Sequence, residues 1–332
     1  MEKRIDEFVK YKDVKSKLIF GCEGENYTKF CFVIPTYKRA KLLKRALLSL
    51  LEQEKDSEFN IVVIDNDEMR NNETEVLMES FVEKHKNMYY YKNEKNIGLF
   101  GNWNRCYEIG SQKGEFCCIL MDDDELKPDY LRRIKEELNK EDYDCIRVGA
   151  DILNQENKLT TESGLTERYH NRPGHMEKID WRYFLFRGAL PPSGMCIKGS
   201  VMRRLGGYKE EYWPGSDFEL DTRLVRDYKV GMLWERLCVT HTEVSTSKQE
   251  KTEKASIYMG YLLCKKTYNE VFDKKHKYDW IANVRTFIAI DKNKYDISEL
   301  GELALDYKYN SRIWKTFYKI CYRLFWLKET YV

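Results

Sequence analysis

No run of the 332-residue sequence is long and apolar enough to cross a bilayer; the longest, Ile257 to Cys264, falls far short of the roughly 20 residues a spanning helix needs. The opening residues Met1 to Glu7 carry none of the apolar core of a secretory signal, and the expectation is a cytoplasmic protein. None of the ten cysteines stands at C-x-x-C spacing, so a metal ribbon or dithiol redox motif is excluded. Free thiols of a reducing compartment are expected, with Cys117 and Cys118 as small buried hydrophobes. Neither sign of charge prevails, with 57 lysines and arginines against 55 aspartates and glutamates. No global field draws the chain to nucleic acid, and any anionic ligand must be met locally. The strings G-x-G-x-x-G and G-x-x-x-x-G-K-[ST] are absent, which disfavours dinucleotide oxidoreductases and P-loop kinases.

What is present suits a packed domain: 42% of residues are apolar and 14% aromatic, enough for a sizeable core and an appendage. Short β-rich runs at Cys31 to Ile34, Phe59 to Ile64, Met88 to Tyr91, Phe116 to Met121 and Cys145 to Val148 alternate with helical stretches. Leu42, Leu43, Ala46, Leu47, Leu50 and Leu51 recur at helical spacing opposite Lys41, Lys44 and Arg45, the pattern of an amphipathic crossover helix. Further helices are expected from about Phe100 to Ser111 and from Pro128, where a proline at a first turn loses no hydrogen bond. The alternation predicts an α/β fold with a mostly parallel sheet flanked by helices. After about Asp151 the pattern loosens, then recovers from Pro191 through Arg226 and in a strand near Val230 to Val239.

The strongest chemical signal is Met121-Asp122-Asp123-Asp124-Glu125, directly after the strand Phe116 to Leu120. In a parallel sheet ligands gather at the carboxyl ends of strands. Four adjacent acids repel one another unless a cation sits among them, and an oxygen-only set suits magnesium or manganese, which also hold phosphate oxygens. Successive side chains of an extended segment point opposite ways, so one metal cannot take all four. The plainer alternative is a solvated acidic turn opening a helix. Two other strand ends share the pattern. Val33-Ile34 breaks off at Pro35-Thr36-Tyr37-Lys38-Arg39, and Ile61 to Ile64 ends in Asp65-Asn66-Asp67.

With these motifs the chain resembles glycosyltransferase family 2, a group of GT-A enzymes that includes makers of bacterial surface polysaccharides, over about Phe32 to Ser247. The resemblance implies a GT-A fold and an inverting transfer of a sugar from a nucleotide-diphosphate donor, UDP favoured, to a hydroxyl of a glycan or lipid-linked acceptor. It places Pro35, Thr36, Tyr37 and Arg39 against the nucleotide, Asp65 and Asn66 toward the base, and Asn96, Gly98, Asn102 and Asp122 around the donor pocket. Asn66 departs from the family's usual Asp, though an amide can also hold uracil. The family's metal motif is Asp-x-Asp with a downstream proline. Counting back from Pro128 sets its final Asp at Asp123, with Met121 where the first often stands. A divalent cation, Mn2+ or Mg2+, is expected on Asp123 and Asp124, with His241 near the metal or diphosphate. A histidine there is otherwise a satisfied structural residue.

The stretch Trp213-Pro214-Gly215-Ser216-Asp217 resembles the family's second acidic motif at a helix start, which aligns Asp217 with the general base; Glu219 and Asp221 are alternatives. An acceptor hydroxyl needs such a base, whereas the metal stabilises charge on the departing diphosphate. One base opposite the leaving group implies a single displacement and inversion. An acid at a helix start can equally cap backbone donors. Ser193 and Gly194 resemble the loop beneath the sugar, and Trp213 and Ser216 are assigned with them to the sugar and acceptor; Gly206-Gly207 reads as a turn.

The expected organisation is an N-terminal extension over 1–28, a transferase domain over 29–247 with donor half 29–150 and acceptor half 151–247, and a helical basic-aromatic extension over 248–332. In that extension Arg312, Lys315, Lys319, Arg323 and Lys328 interleave with Trp314, Phe317, Tyr318, Phe325 and Trp326. The composition suits a helix lying on anionic membrane, or one packing its aromatics on the protein. Two rival readings share the sheet. A sugar-nucleotide pyrophosphorylase would show a glycine-rich basic loop where Pro35-Thr36-Tyr37 stands. A catalytically silent carbohydrate- or nucleotide-binding scaffold is opposed by the retained acids, whose burial is costly without a ligand.

Overall fold

The alternating apolar runs form strands because their side chains are buried on both faces. In a computed structural model of the chain, which describes residues 6–22, 26–53, 58–154, 158–159, 174–186, 189–242 and 250–331, ten strands make one sheet. In chain order they are β1 (Ser16–Phe20), β2 (Thr28–Thr36), β3 (Phe59–Asp65), β4 (Met88–Asn93), β5 (Gly114–Ile119), β6 (Glu125–Leu126), β7 (Cys145–Leu153), β8 (Met176–Ile179), β9 (Cys196–Lys198) and β10 (Val230–His241). The order across the sheet is β1-β4-β3-β2-β5-β9-β7-β10-β6, with β8 pairing β10. The strands β4, β3, β2 and β5 run parallel, as do β7 and β10, while β1, β9 and β6 are antiparallel to their neighbours.

The first four helices are the connections: α1 (Ala40–Leu51), α2 (Glu73–Val82), α3 (Gly98–Gly110) and α4 (Tyr130–Lys140). Helices α1, α2 and α4 send Leu43, Leu47, Leu50, Met78, Phe81, Leu131 and Ile134 into one core with Phe30, Phe32, Ile61, Val63 and Cys118 of the strands. Helix α3 lies so close to the sheet that a Cβ on Gly110 would come 2.4 Å from Val33 Cγ1, which explains the glycine there. Helix α4 starts at Tyr130, two residues after Pro128. Cys117 and Cys118 are both buried, and all ten cysteines are free thiols.

The chain divides into two compact units. The first, Met1–Lys178, Pro191–Tyr208 and Lys229–Val244, carries the sheet, α1 to α4 and α6 (Gly199–Leu205), a short helix that follows α5 (Trp181–Phe186) in the chain. Residues Ser16–Phe20 belong to its sheet, because β1 pairs antiparallel with β4. The second unit, Ile179–Leu190, Lys209–Tyr228 and Ser245–Val332, holds α5, α7 (Ser216–Asp227), α8 (Glu250–Lys266), α9 (Asp279–Asn293) and α10 (Arg312–Tyr331). Its interior is aromatic: Phe184 meets Phe218 edge-on at 5.8 Å, and Tyr268 donates its hydroxyl to Leu185 O at 3.0 Å. The boundary expected at 247–248 and the loosened stretch after Asp151, at 155–157 and 160–173, lie outside the described residues, as do the side chains of Phe325, Trp326 and Lys328.

Candidate functional site

Strand β5 stops at Ile119 and the chain turns before β6, with Asp124 N donating to Met121 O at 3.1 Å across Asp122 and Asp123. Asp122 and Asp124 turn inward at 5% exposure each, while Asp123 stays half-buried. The end of β2 supplies partners on one side: Thr36 Oγ1 donates to Asp122 Oδ2 at 2.8 Å, and Arg39 reaches Asp122 at 3.4 Å and Asp123 at 3.2 Å. From α1, Arg45 donates to the Asp123 carbonyl oxygen at 2.7 Å, and its Nε lies 3.5 Å from Glu125. On the other side the Pro191 to Met195 loop runs along β5. The Ser193 hydroxyl donates to Asp124 Oδ2 and receives the Met121 N–H at 3.1 Å, and Gly194 N donates to Ile119 O at 2.9 Å. Gly194 sits at φ +81°, where a Cβ would come 2.7 Å from Val148, so no other residue fits without strain. At the end of β10, His241 N donates to Asp124 Oδ1 at 3.2 Å and its Nε2 lies 2.6 Å from Glu125.

This end of the sheet holds more negative charge than its partners offset. Burial pushes the Asp124 carboxyl up to about 7, with Asp123 adding repulsion, although the Ser193 and His241 hydrogen bonds oppose the shift. Burial also raises Asp122 to about 6 against the pull of Thr36 and Arg39.

The expected donor residues after β3 and β4 lie together in the same unit, but they are knitted to one another. Asp65 is fully buried; its Oδ1 accepts the Asp67 N–H at 2.9 Å, and its Oδ2 accepts from Tyr90 at 2.7 Å and Lys92 at 2.8 Å. Asn66 donates to Asn96 at 3.0 Å and to Gly98 O at 3.1 Å, and accepts from Asn93 at 2.9 Å and Ile97 N at 3.0 Å. Those four bonds exhaust a carboxamide. Asn102 continues the chain, accepting from Asn93 at 3.0 Å and donating to Ile64 O at 3.1 Å. Pro35 and Thr36 are buried at the end of β2, whereas Tyr37 is 43% exposed. Lys92, which holds Asp65, and Arg45 were not singled out from the sequence, whereas Asn93, which holds Asn66, opens the stretch Asn93 to Gly98 that resembles the donor-pocket loop. The signal for Arg45 was present, in a basic residue of α1 beside an acidic strand end.

Among the described residues, no group of three or more His, Cys, Asp and Glu side chains could hold a metal ion. Each Asp124 oxygen already accepts one hydrogen bond, and the His241 ring is turned to Glu125 while its buried Nδ1 meets no hydrogen-bond partner. What fits is a hard cation taking one or two carboxylates and completing its shell with phosphate oxygens and water, since the half-buried Asp123 stands in an excess of negative charge.

In the second unit, α7 opens at Ser216, whose buried hydroxyl donates to Lys209 O at 2.6 Å. Asp217 follows, half-buried, its Oδ1 accepting the Phe218 N–H at 2.8 Å. The alternatives on the same helix are more deeply committed. Glu219, 6% exposed, binds Arg223 through two bonds of 2.8 Å, and Asp221, 3% exposed, accepts the Leu190 N–H at 3.1 Å. Trp213, just before α7, is 42% exposed.

Comparison with known proteins fits this picture. The model of the family described as glycosyl transferase family 2 matches residues 31–204, more than half of the chain. An uncharacterized glycosyltransferase of Methanocaldococcus jannaschii is 25% identical over 247 residues, covering 74% of this chain and 80% of the relative. A second uncharacterized glycosyltransferase, from Mycoplasma pneumoniae, is 30% identical over 121 residues, 36% of this chain and 39% of the relative. Among solved structures, S. aureus TarS 1-349 in complex with UDP-GlcNAc superposes with a TM-score of 0.62 at 14% identity, over 82% of this chain and 77% of that one. The same protein in complex with UDP gives 0.60 at 15%, over 82% and 76%. The likeness shows a shared fold, and the expected GT-A architecture holds. No helix among the described residues is long and apolar enough to cross a membrane.

Proposed function

The chain belongs to glycosyltransferase family 2, and from that premise we propose that it transfers a hexosyl group from a nucleotide-diphosphate donor to a hydroxyl of a glycan or lipid-linked acceptor in cell-surface polysaccharide synthesis. The observation that carries the reading is the acidic end of β5, where Asp122 and Asp124 are buried with raised pKa values beside the half-buried Asp123. A site so overloaded with negative charge gains from a cation. UDP is the favoured nucleotide; the fold shared with TarS, solved in complex with UDP and with UDP-GlcNAc, supports that choice.

In this reading Asp123 is the side chain that holds a manganese or magnesium ion, with Asp122 beside it. When bound, such a cation neutralises charge on the departing diphosphate. Thr36 and Arg39 fix the orientation of Asp122, while Asp123 in the turn after β5 stays half-buried. Arg39, at 3.2 Å from Asp123, is the group a diphosphate would compete for, and Ser193 holds Asp124 away from the donor. The Asn66, Asn93, Asn96 and Asn102 lattice shapes the loop after β4 and leaves the exposed Tyr37 to meet the base. Asp217 is the general base: it is less buried than Glu219 and Asp221 in the opening turns of α7 and is the acid placed to accept the proton of the attacking hydroxyl. A single attack so assisted inverts the anomeric centre.

Thermal stabilisation by UDP, GDP, TDP and CMP, each with and without manganese, tests the donor site, since a ligand that binds only the folded chain raises Tm. A manganese-dependent rise with one nucleotide is expected. No rise with any of them would favour a silent scaffold. Asp217→Asn is expected to abolish transfer while leaving that rise intact; undiminished transfer would remove Asp217 from the mechanism.

A further inference from the structure

Helix α10 presents two faces. Trp314, Lys315, Tyr318, Cys321 and Tyr322 are half-buried, while Arg312, Ile313, Thr316, Phe317, Lys319, Ile320, Arg323 and Leu324 are exposed. The inner face is an aromatic seam within the second unit: the Trp314 ring lies 5.7 Å from Trp280 and 4.9 Å from Tyr309, and Tyr318 lies 5.7 Å from Phe186. Lys315 is drawn the same way by an ion pair with Asp291. The aromatics of this tail therefore divide, some sealing the unit and others left outside.

The outer face is apolar where solvent would normally select polar residues. Ile313 is 79% exposed, Phe317 47%, Ile320 50% and Leu324 58%. At the helical repeat these four fall within an arc of about 60° and form one stripe along the axis. Arg312, Lys319 and Arg323 are exposed on a single flank of it, and no acid occurs from Arg312 to Leu324. An apolar stripe with a cationic border is the arrangement of a helix that lies in the interfacial plane of a bilayer, its alkyl groups among acyl chains and its cations among anionic headgroups.

We propose that the outer face of α10 docks the protein onto an anionic lipid surface, with Ile313, Phe317, Ile320 and Leu324 inserted and Arg312, Lys319 and Arg323 against lipid phosphates. A second copy of the chain fits the same face less well. It would bring another row of cations and no acid to meet them, and four side chains are far fewer than the roughly 20–30 residues a stable protein interface takes from each partner. The inference goes beyond glycosyl transfer and stands whichever donor the sheet binds.

The test is co-sedimentation of the full chain with vesicles of phosphatidylglycerol and phosphatidylcholine, against vesicles of phosphatidylcholine alone, with light scattering of the protein in solution. Wild type is expected to partition about tenfold or more in favour of the anionic vesicles and to lose that preference near 0.5 M salt, roughly where surface charge is screened. Phe317→Ser with Ile320→Ser should abolish binding, and the triple change Arg312→Gln, Lys319→Gln, Arg323→Gln should reduce it to the phosphatidylcholine level. Wild type that ignores the anionic vesicles, or binds both kinds equally, overturns the proposal. So does a wild-type dimer that Phe317→Ser with Ile320→Ser converts to monomer. The salt series needs no variant and decides the matter if the substituted chains fold poorly.

Discussion

Strands β3 and β5 flank β2 in the same sheet and both end in acids, yet the two ends are built in opposite ways. At the end of β3, Asp65 is fully buried against Lys92 and Tyr90, and Asn66 spends every donor and acceptor on its neighbours. Asn66 has no bond left for a ligand, and Asp65 is closed off from solvent. At the end of β5 the same depth of burial comes with too little compensation, and Asp122 and Asp124 are pushed toward neutrality while Asp123 stays half-buried. An acid at the carboxyl end of a parallel strand is therefore not by itself a ligand. What separates a structural joint from a binding site is whether the surrounding fold already supplies the opposite charge.

The contrast can be broken most severely at Lys92. Lys92→Met leaves Asp65 buried without its cation and should cost about 3–5 kcal/mol in chemical denaturation. Arg39→Gln, at the other strand end, removes a partner that is 33% exposed and should cost less than about 1 kcal/mol. Equal losses would erase the distinction.

Asn66→Asp sharpens it next. The substitution restores the family's usual residue but turns a donor into an acceptor facing Asn96 Oδ1 and Gly98 O, at a cost of about 1–3 kcal/mol. A stability unchanged from wild type would mean that Asn66 is not the staple described.

Asp124→Asn should act in the reverse sense. The Asp124 carboxyl is raised from 3.8 to about 7, so the folded chain holds more protons than the unfolded one between those values, and its stability falls as pH rises through that window. The amide removes the penalty. Tm should rise at pH 8, on the order of 1 kcal/mol or more in stability, and change little near pH 4. A loss of stability at pH 8 would show that Asp124 is paired more fully than its surroundings suggest.

Much of the fold was legible because the central strands are continuous apolar runs and α1 has a one-sided apolar pattern. The elements missed are those whose local signal is weak or whose role depends on distant pairing. Strand β9 is three residues long and exists only by pairing between β5 and β7, and β1 is a five-residue edge. Helix α2 did carry a signal: Asn72, three residues before Glu75, caps it by accepting the Glu75 N–H at 2.8 Å. At the site, the acids were visible and their partners were not. Asp65 meets Lys92 because β3 and β4 pair in a register that sets those two residues side by side. The lattice of Asn66, Asn93, Asn96 and Asn102 needs three separate segments in place before any of its bonds exists. Asparagines in a loop read as turn residues until their partners are known.

We propose that the end of β5, rather than that of β3, meets the donor through a metal on Asp123. Titration calorimetry of UDP with manganese present, on wild type and Asp123→Asn, tests it most directly, with Tm of the unliganded proteins measured alongside. Wild type is expected to bind, Asp123→Asn to lose about tenfold or more in affinity, and the unliganded melting temperatures to agree closely. Equal, manganese-independent affinity in both proteins would contradict it.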